Sequence, residues 1–329
     1  MNENTDIRPQ NLSEWHQGEI ALQRLAGSDK ILGPHAARIL RPAMTPQLQQ
    51  FFPLLPFIVI SFTDAEKRPW GTILPGLPGF AWSPAPEILR IDRLPPEGDS
   101  FAAMLRVGAP IGLLGIELPT RRRNRVNGIV TAMDESGFTV TVQQAYGNCP
   151  KYIQQRAYTG MDSPPARVDS TAFTGLDDAA ARTLLSRADT MFVASFAPGP
   201  DGTPAMDISH RGGRPGFLKL DSGGITIPDF SGNGFFNTLG NILVTGQAGL
   251  VIPDFTTGDV LTLTGAAELG LDDASLAEAD SVGAERLWRL RPHQGRWLRR
   301  ALPLALELKS WSPFTLATGD WQNHSGDTE

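Results

Sequence analysis

The chain of 329 residues repeats itself at a spacing of 137 positions. Three matches at one spacing and in one order are hard to obtain by chance, so we predict two copies of one structural unit. A chain of this length also exceeds one ordinary core and suits two domains of about 150 residues each. The matching pairs are P-G-F at 78 and 215, G-L-L-G-I-E-L and G-L-V-I-P-D-F at 112 and 249, and N-G-I-V-T and T-G-A-A-E at 127 and 264.

Each copy is predicted to consist mainly of β-strands. Short apolar runs bounded by Gly and Pro recur in both halves, as in F-I-V-I-S-F at 57–62, Met191–Ser195 and Ile225–Phe230. Their residue types and alternation are typical of strands, and their spacing is that of an all-β barrel. Short helices join them, one capped near Ser13 and one from about Asp177 to Ala188. We therefore predict a mainly β fold with short helices (α+β).

The repeat and the local composition predict the domain boundaries. We expect an N-terminal arm and helix over residues 1–46 and the first barrel over 47–157. The second barrel, with a C-terminal extension, is expected over 177–329. Residues 158–176 lie between the barrels and are rich in Pro, Ser and Asp, which predicts a linker.

Charge, cysteine content and hydropathy exclude several classes of protein. A net charge of -6 argues against a nucleic-acid surface, since such domains are usually basic. The single cysteine, Cys149, excludes an internal disulfide and fits a reducing compartment. The amino terminus lacks the apolar core of a signal peptide, and no run of about 18 apolar residues occurs. We expect a cytoplasmic protein that binds neither nucleic acid nor membrane.

The stretch from Asp207 to Asn241 carries the densest set of polar candidate ligands. It combines D-I-S-H-R-G-G-R-P-G-F-L-K-L, I-T-I-P-D-F and S-G-N-G-F-F-N-T-L-G-N. Its glycines allow backbone N–H groups to approach a ligand closely. We expect it to bind an anion with a hydrogen-bonding head group, such as a phosphorylated cofactor. The candidate residues are Ser209, His210, Arg211, Arg214, Lys219, Asn233, Asn237 and Asn241.

A dense positive cluster lies in the first half, at Arg121, Arg122, Arg123 and Arg125. One interpretation is a solvated hairpin turn on an acidic protein. The other is a clamp on a phosphate or carboxylate, because the guanidinium fork matches such oxygens in pairs. The sequence leaves both interpretations open.

Two further features leave alternatives open. His16 and Glu19 would share one helix face, either as a metal or acid/base pair or as a structural hydrogen bond. Cys149 lies near Lys151 and is either an activated thiol or a small buried hydrophobic residue. Neither feature supplies a third metal ligand or a complete catalytic group, so we predict no metal site and assign no catalytic residue.

Several segments of the chain match a known family. In the second half they are A-D-T-M-F-V-A-S, D-I-S-H-R-G-G-R-P-G-F, I-P-D-F-S-G-N, F-N-T-L-G-N and A-G-L-V-I-P-D-F-T-T-G-D-V-L-T-L-T-G. In the first half they are G-L-L-G-I-E-L-P-T-R-R-R-N-R-V-N-G and G-N-C-P-K-Y-I. With these segments the chain resembles the pyridoxamine 5'-phosphate oxidase-related, FMN-binding split-barrel proteins, more faintly in the first half than in the second.

The resemblance implies a six-stranded Greek-key split barrel in each half, with FMN held where two barrels meet. Most members of that family are homodimers, so tandem split barrels imply an intrachain pseudo-dimer, and pairing into a further homodimer stays open. By the same resemblance, the phosphate-binding strand holds Ser209, His210 and Arg211. The second phosphate and ribityl segment holds Asn233, Asn237 and Asn241, and Lys219 is a weaker candidate.

The expected function also follows from the resemblance. It implies an FMN-binding oxidoreductase that passes electrons between a reduced nicotinamide, or a partner flavoprotein, and a small acceptor. The vitamin-metabolising members carry an Arg-x-x-x-x-Lys strand and a Ser-Arg-Lys triplet, where this chain has S-H-R-G-G and S-G-N-G. This difference argues against pyridoxamine phosphate as the substrate. The alternative is a protein that binds or senses a flavin or haem without turnover.

Overall fold

The structure, a computed structural model, describes residues 14–199 and 201–321. In this part of the chain, seven strands form the sheet of the first barrel: β1 Phe57–Thr63, β2 Pro69–Pro75, β3 Ala81–Ala85, β4 Ile88–Ile91, β5 Pro110–Glu117, β6 Arg122–Asp134 and β7 Gly137–Asn148. Two strands connect the barrels: β8 Gln155–Met161 and β9 Asp169–Thr174. The second barrel contains β10 Thr190–Pro198, β11 Pro204–Gly212, β12 Lys219–Leu220, β13 Ile225–Asp229, β14 Gln247–Pro253, β15 Val260–Gly270 and β16 Arg286–Arg299, and β17 Leu304–Ser310 follows.

The helices of the described residues are all short and lie at the barrel ends. They are α1 Gln17–Leu25, α2 Asp29–Leu32, α3 Ala36–Ile39, α4 Pro46–Phe51, α5 Ser100–Met104, α6 Ala179–Arg187, α7 Asn237–Thr245, α8 Asp273–Ser281 and α9 Pro313–Leu316. Two 3₁₀ turns, Gly33–His35 and Phe52–Leu54, complete the set in the described chain.

The two barrels have the same strand order. The first sheet runs β2-β1-β5-β6-β7-β4-β3, and the second runs β11-β10-β14-β15-β16-β13-β12 with every pair antiparallel. Strand β9 joins the outer side of β16, and β8 pairs with β17. The predicted mainly β fold of two tandem split barrels is therefore confirmed, with seven strands in each sheet order rather than the six that the resemblance implies.

The strand registers reproduce the repeat seen in the sequence. Gly112 on β5 pairs with Asn127 on β6, and Gly249 on β14 pairs with Thr264 on β15. The P-G-F segments form equivalent turns, in which Gly79 and Gly216 have φ of 97° and 91°. Positive φ suits glycine, because it has no Cβ to clash with the following carbonyl. Residues 137 apart on β2 and β11, β5 and β14, and β6 and β15 thus occupy equivalent positions.

Alternate residues of β1 serve two different cores. Ile58 and Ile60 belong to the core inside the first barrel, whereas Phe57 and Val59 pack in a cluster between the two barrels. Successive side chains of a strand point to opposite faces, so a strand buried on both faces needs an uninterrupted apolar run. The run F-I-V-I-S-F meets this need, and its residues are all buried.

The interface between the barrels is reciprocal. A Cβ added to Gly112 would lie 3.0 Å from Cα of Asp207 in the second barrel, and one added to Gly249 would lie 2.5 Å from the carbonyl oxygen of Pro69 in the first. Each glycine thus lets a central strand of one barrel approach the second strand of the other. Such self-complementary contact is the pattern of a two-fold dimer interface, here formed within one chain.

Some local expectations differ from the structure. The segment 158–176, predicted to be a linker, contains the end of β8 and the whole of β9. The expected cap Ser13 lies outside the described residues. Helix α1 begins after His16, whose Nδ1 accepts a hydrogen bond from the Gly18 amide, with Glu19 completing a capping box. The capping pair His16 and Glu19 also belongs to the candidate functional site.

Candidate functional site

A cavity of about 370 Å³ lies between the barrels, where β11, β13 and the loop before α7 face β6 of the first barrel. We call it the arginine cavity. Its charged lining consists of four arginines and two carboxylates: Arg123, Arg125, Arg211, Arg286, Asp229 and Glu285. The cavity therefore carries an excess of positive charge, although the whole chain is acidic.

The arginine cluster predicted from the sequence divides into two roles. Arg123 and Arg125 lie two positions apart on β6 and share one face, which lines the cavity. Arg122, the residue before them, is exposed, and its Nη2 lies 2.6 Å from the Glu117 carboxylate. Arg121 donates from Nε to the carbonyl of Ile153 at 3.0 Å and holds the connection to β8. Arg121 and Arg122 thus hold the hairpin turn and its surroundings, while for Arg123 and Arg125 the clamp on a phosphate or carboxylate stays a prediction.

Arg123 is a half-buried cation whose charge is not neutralised by a neighbour. Its Nε donates to the carbonyl of Cys149 at 2.8 Å, and its Nη1 contacts the His210 carbonyl and ring Nδ1, each at 3.0 Å. No carboxylate in the described residues forms an ion pair with it. Burial and the nearby Arg125 and Arg211 lower the pKa of its guanidinium to about 9, so it remains charged at neutral pH.

Two further arginines share one carboxylate. Asp229, which is buried, lies 3.0 Å from Nη1 of Arg211 and 2.7 Å from Nη1 of Arg286. Asp229 and Arg286 are cross-strand partners in the β13–β16 register, which places them side by side. Nη2 of Arg286 also lies 3.0 Å from the Glu285 carboxylate, so these two arginines are balanced by two carboxylates and the excess positive charge of the cavity lies at Arg123.

Three N–H groups of cavity residues have no hydrogen-bond partner within the described chain. They are Nε of Arg125, Nε of Arg211 and Nε2 of His210, all buried. Because an arginine can only donate, Nδ1 of His210 is the acceptor from Arg123, and Nε2 must carry the ring proton. Burial and the surrounding arginines lower the pKa of His210 well below its usual value, which keeps the ring neutral. An unpaired buried donor is costly, so this wall suits a ligand rich in acceptor oxygens.

The glycine-rich loop S-G-N-G closes the cavity before α7. Asn233 is exposed, and its Oδ1 accepts a hydrogen bond from the Phe235 amide at 3.2 Å. Phe236, the residue before α7, adopts left-handed φ of 61° and stacks under the Arg286 guanidinium at 4.7 Å. Asn237 then starts the helix and lines the cavity.

A second polar group lies behind Arg125. Nη1 of Arg125 donates to both carboxylate oxygens of Asp207 at 3.0 Å, and the Tyr146 hydroxyl donates to Asp207 Oδ1 at 3.1 Å. Nδ2 of Asn237 donates to Glu19 Oε1 at 2.5 Å. Burial raises the pKa of Glu19 to about 8. A protonated carboxyl therefore lies next to an ion pair that joins the two barrels.

His16 and Asn241 belong to this second group. Since Nδ1 of His16 accepts from the Gly18 amide, its Nε2 carries the proton and donates to Asn241 Oδ1 at 3.0 Å. Nδ2 of Asn241 donates to the Ser195 hydroxyl at 2.9 Å. The imidazole is thus fully hydrogen-bonded, and burial lowers its pKa. Of the two interpretations of His16 and Glu19, the structural hydrogen bond holds for His16.

The structure brings some predicted ligands together and separates others. His210, Arg211, Asn233 and Asn237 line the arginine cavity, while Asn241 lies at the second polar group. The Ser209 hydroxyl is buried and accepts a hydrogen bond from Thr238 at 2.7 Å.

The other two candidate cations lie elsewhere. Lys219 is exposed on β12, where it pairs with Glu278 at 2.5 Å and lies over the ring of Trp321. Arg214 donates to the carbonyl of Leu316 at 2.7 Å and so fixes the C-terminal segment. Both residues therefore hold surface segments rather than the cavity wall.

Sequence reasoning missed Asp229, Arg286 and Asn148 in the cavity wall and Asp207 behind it. Asp229 lies within the strand I-T-I-P-D-F that was recognised, but its partner is 57 residues further on. Asp229 ends β13 and Arg286 starts β16, so the sequence could have predicted their ion pair only if the register of these two strands had been known.

The described residues contain neither a metal-binding cluster nor a membrane-spanning helix. No group of three or more His, Cys, Asp or Glu side chains is arranged to hold a metal ion. No helix in this part of the chain has the length and apolar character needed to cross a membrane. Cys149 is a free, half-buried thiol near Arg123.

No family model and no curated protein matches the sequence, but solved structures do. The heme storage protein HutZ from Vibrio cholerae is 14% identical, over 36% of this chain and 92% of that one, with a TM-score of 0.28. An FAD binding protein from Mycobacterium smegmatis is 16% identical, over 39% and 99%, with a TM-score of 0.28. A candidate pyridoxamine 5'-phosphate oxidase from Corynebacterium glutamicum is 17% identical, over 39% and 99%, also with a TM-score of 0.28. The fold of this chain is evident from its own strand order.

Proposed function

We propose that the arginine cavity binds FMN through its phosphate and that the protein is a flavin-dependent oxidoreductase. In this proposal electrons pass between a reduced nicotinamide, or a partner flavoprotein, and a small acceptor. The observation that carries the proposal is the half-buried Arg123, which has no carboxylate partner among the described residues. A desolvated guanidinium flanked by unpaired N–H donors is suited to a phosphate, because charge-assisted hydrogen bonds are the strong ones.

The residues present fit a phosphorylated cofactor. Arg123, Arg211 and His210 would hold the phosphate, since they carry the charge and two of the unpaired N–H groups. Asn233 and Asn237 would offer amide groups to the polyol chain. When bound, the flavin itself supplies hydride and electron transfer, and the protein supplies orientation and charge. This is why the chain can act without a dedicated catalytic dyad.

The proposal is tested by titrating the purified protein with FMN and, in parallel, with riboflavin. These ligands differ only in the phosphate, so FMN should bind at least tenfold more tightly if the arginines hold it, a difference of about 1.4 kcal/mol. Equal affinity for the two ligands, or no uptake of either, would refute the phosphate site. Bleaching of the bound flavin by a reduced nicotinamide tests the oxidoreductase part.

The alternative of haem binding has one specific observation in its favour, namely that His210 is a neutral histidine in the cavity wall. The tautomer argues against it, because Nδ1 faces Arg123 and Nε2 already carries a proton. Adding hemin separates the two proposals, since a Soret band lost in a His210→Ala variant would support haem ligation. Absence of a Soret band together with FMN uptake would support the flavin.

A further inference from the structure

A smaller cavity of about 120 Å³ adjoins the arginine cavity, and Asn237 lines both. We call it the acidic cavity. The charged and titratable residues in its described lining are Glu14, His16, Glu19, Tyr146 and Asp207, and it includes no lysine or arginine. A cavity lined by arginines and a cavity lined by acidic side chains therefore meet at one asparagine side chain.

The wall of the acidic cavity is rich in hydrogen-bond acceptors. Oδ1 of Asn127 is buried and has no partner within the described chain, while Nδ2 of the same side chain donates to Gln144 at 3.1 Å. Asn127 is 6% exposed and lines this cavity. The Asp207 carboxylate lies beside it, 3.4 Å from Asn127 Nδ2. An unpaired buried acceptor is costly, so this wall suits a ligand that offers an N–H or O–H group.

The carboxyl oxygens of Glu19 are further hydrogen-bond acceptors in the wall of the acidic cavity. Its Oε1 accepts from Asn237, and its Oε2 accepts from the His16 backbone amide at 2.8 Å. These two hydrogen bonds fix the carboxyl group, which is 4% exposed. The charged or titratable groups near it are His16 on its own helix border, Arg125, Tyr146 and Asp207 from the barrels, and Glu14 in the cavity lining.

We propose that the acidic cavity is a separate subsite for a small, positively charged or hydrogen-donating group, and that Glu19 gives up its proton to solvent when this group binds. A cation entering the cavity would pair with a carboxylate, which favours the ionised form of Glu19. The lining contains no lysine or arginine, and Arg125, the cation behind it, already pairs with both oxygens of Asp207. A catalytic role of this subsite rests on the proposed function. In that role, the subsite would hold the hydrogen-bond donor group of a reactant next to the cofactor.

The experiment uses three small probes of similar size: propylamine, propanol and propionate. Each is titrated by calorimetry into the full chain, first without FMN and then with FMN at saturation. We expect the amine to bind most tightly and propionate most weakly, by at least tenfold between them, with and without FMN. Binding of propionate as tight as that of the amine would overturn the subsite. Loss of amine binding on saturation with FMN would show a single shared cavity and overturn it as well.

The number of protons released on binding is measured by repeating the amine titration in buffers of different ionisation enthalpy. Near neutral pH most of Glu19 is protonated, so close to one proton should be released for each amine bound. Glu19→Gln should abolish this release and weaken amine binding about tenfold, whereas the exposed control Glu135→Gln should change neither. Unchanged release in Glu19→Gln would overturn the role of Glu19.

A second measurement does not depend on how the variant folds. In the unaltered protein, amine affinity should rise about tenfold from neutral pH to one unit above the pKa of Glu19, because only the ionised carboxylate pairs with the cation. A flat profile would overturn the proton linkage. Failure of the FMN titration alone would refute the cofactor proposal and leave these amine measurements as an independent result.

Discussion

The two barrels share one strand order but differ in chemistry at the two equivalent places where they meet. On one side lie Arg123, Arg125, Asp207, His210 and Arg211. The residues 137 positions away, on the other side, are Val260, Thr262, Trp70, Ile73 and Leu74, all buried. One junction is thus charged and open, and its counterpart is packed with largely apolar side chains.

This difference shows what a duplication within one chain permits. In a homodimer every substitution appears at both symmetry-related sites, so a site cannot be lost on one side only. Here each side changes independently, and Ile73 and Val260 are buried at positions that correspond to His210 and Arg123. Apolar burial strengthens the interface on one side, at about 25 cal/mol per Å². The other side keeps a desolvated cation, which is unfavourable without an anion.

The largest expected effect on stability comes from replacing Arg125, which forms the ion pair between the barrels, by threonine, the residue at its counterpart position 262. Arg125→Thr leaves Asp207 buried without its cation and should destabilise the fold by about 3 to 5 kcal/mol. The control at the counterpart position, Thr262→Val, removes an unpaired buried hydroxyl and should change the free energy of unfolding little. Urea unfolding measures both, and a loss below about 1 kcal/mol for Arg125→Thr would contradict a structural ion pair.

The next effect concerns the N-terminal helix α1, which packs on α7 beside the charged junction. Burial raises the pKa of Glu19 from 4.5 to about 8, so the folded state binds a proton that the unfolded state has lost. This stabilising contribution is full below pH 4.5, is lost as pH rises to about 8, and then stays constant. Across this window the free energy of unfolding, measured with urea, should fall by a few kcal/mol more in the unaltered protein than in Glu19→Gln. An equal dependence of the two unfolding free energies on pH would refute this role of Glu19.

Arg123→Val converts the centre of the charged junction into its counterpart Val260. Loss of a charged hydrogen bond should weaken FMN binding by about 1.5 to 3 kcal/mol, which is roughly a ten- to hundredfold rise in Kd. Riboflavin binding should not change, because the phosphate is missing. Arg122→Val on the exposed face of the same strand is the matched control. If both variants bind FMN equally well, Arg123 does not hold the phosphate.

Arg211→Leu installs the counterpart Leu74 and should have a smaller effect. Asp229 already neutralises part of the Arg211 charge, so we expect a loss near 1.5 kcal/mol, at the lower end for a charged hydrogen bond. The Kd for FMN measures it. An unchanged value would remove Arg211 from the binding site.

The smallest effect is expected for Lys219, which the resemblance named as a ligand. Its ammonium group pairs with Glu278 on the surface, so Lys219→Ala should change FMN affinity by less than about 0.5 kcal/mol. A tenfold loss of affinity would show that the loop rearranges to reach the phosphate.

The sequence was sufficient for the architecture because strand signals are local. The apolar run of β1 and the spacing of matching segments follow from residue type alone, and the registers of Gly112 and Gly249 confirm the repeat. The helix start was less predictable, because the cap is the Nδ1 of His16, while its Nε2 donates to Asn241, a residue 225 positions away. Sequence rules favour Ser or Thr at such positions.

The candidate site was predicted in part for the same reason. His210 and Arg211 are adjacent in a glycine-rich stretch, so their types and spacing revealed them. The union of Arg123 with His210 depends on how two barrels pack, which no local pattern encodes. Lys219 follows the same stretch in sequence, but the turn at Gly216 carries it to the short strand β12, away from the cavity lining.

The covalent connection between the barrels has a consequence for dilution. A pocket shared by two separate subunits disappears when the subunits dissociate, so its ligand affinity falls with protein concentration. In this chain β8 and β9 tie both halves together, and each half meets the other at a high effective concentration. Affinity for the proposed cofactor should therefore not fall when the protein is diluted.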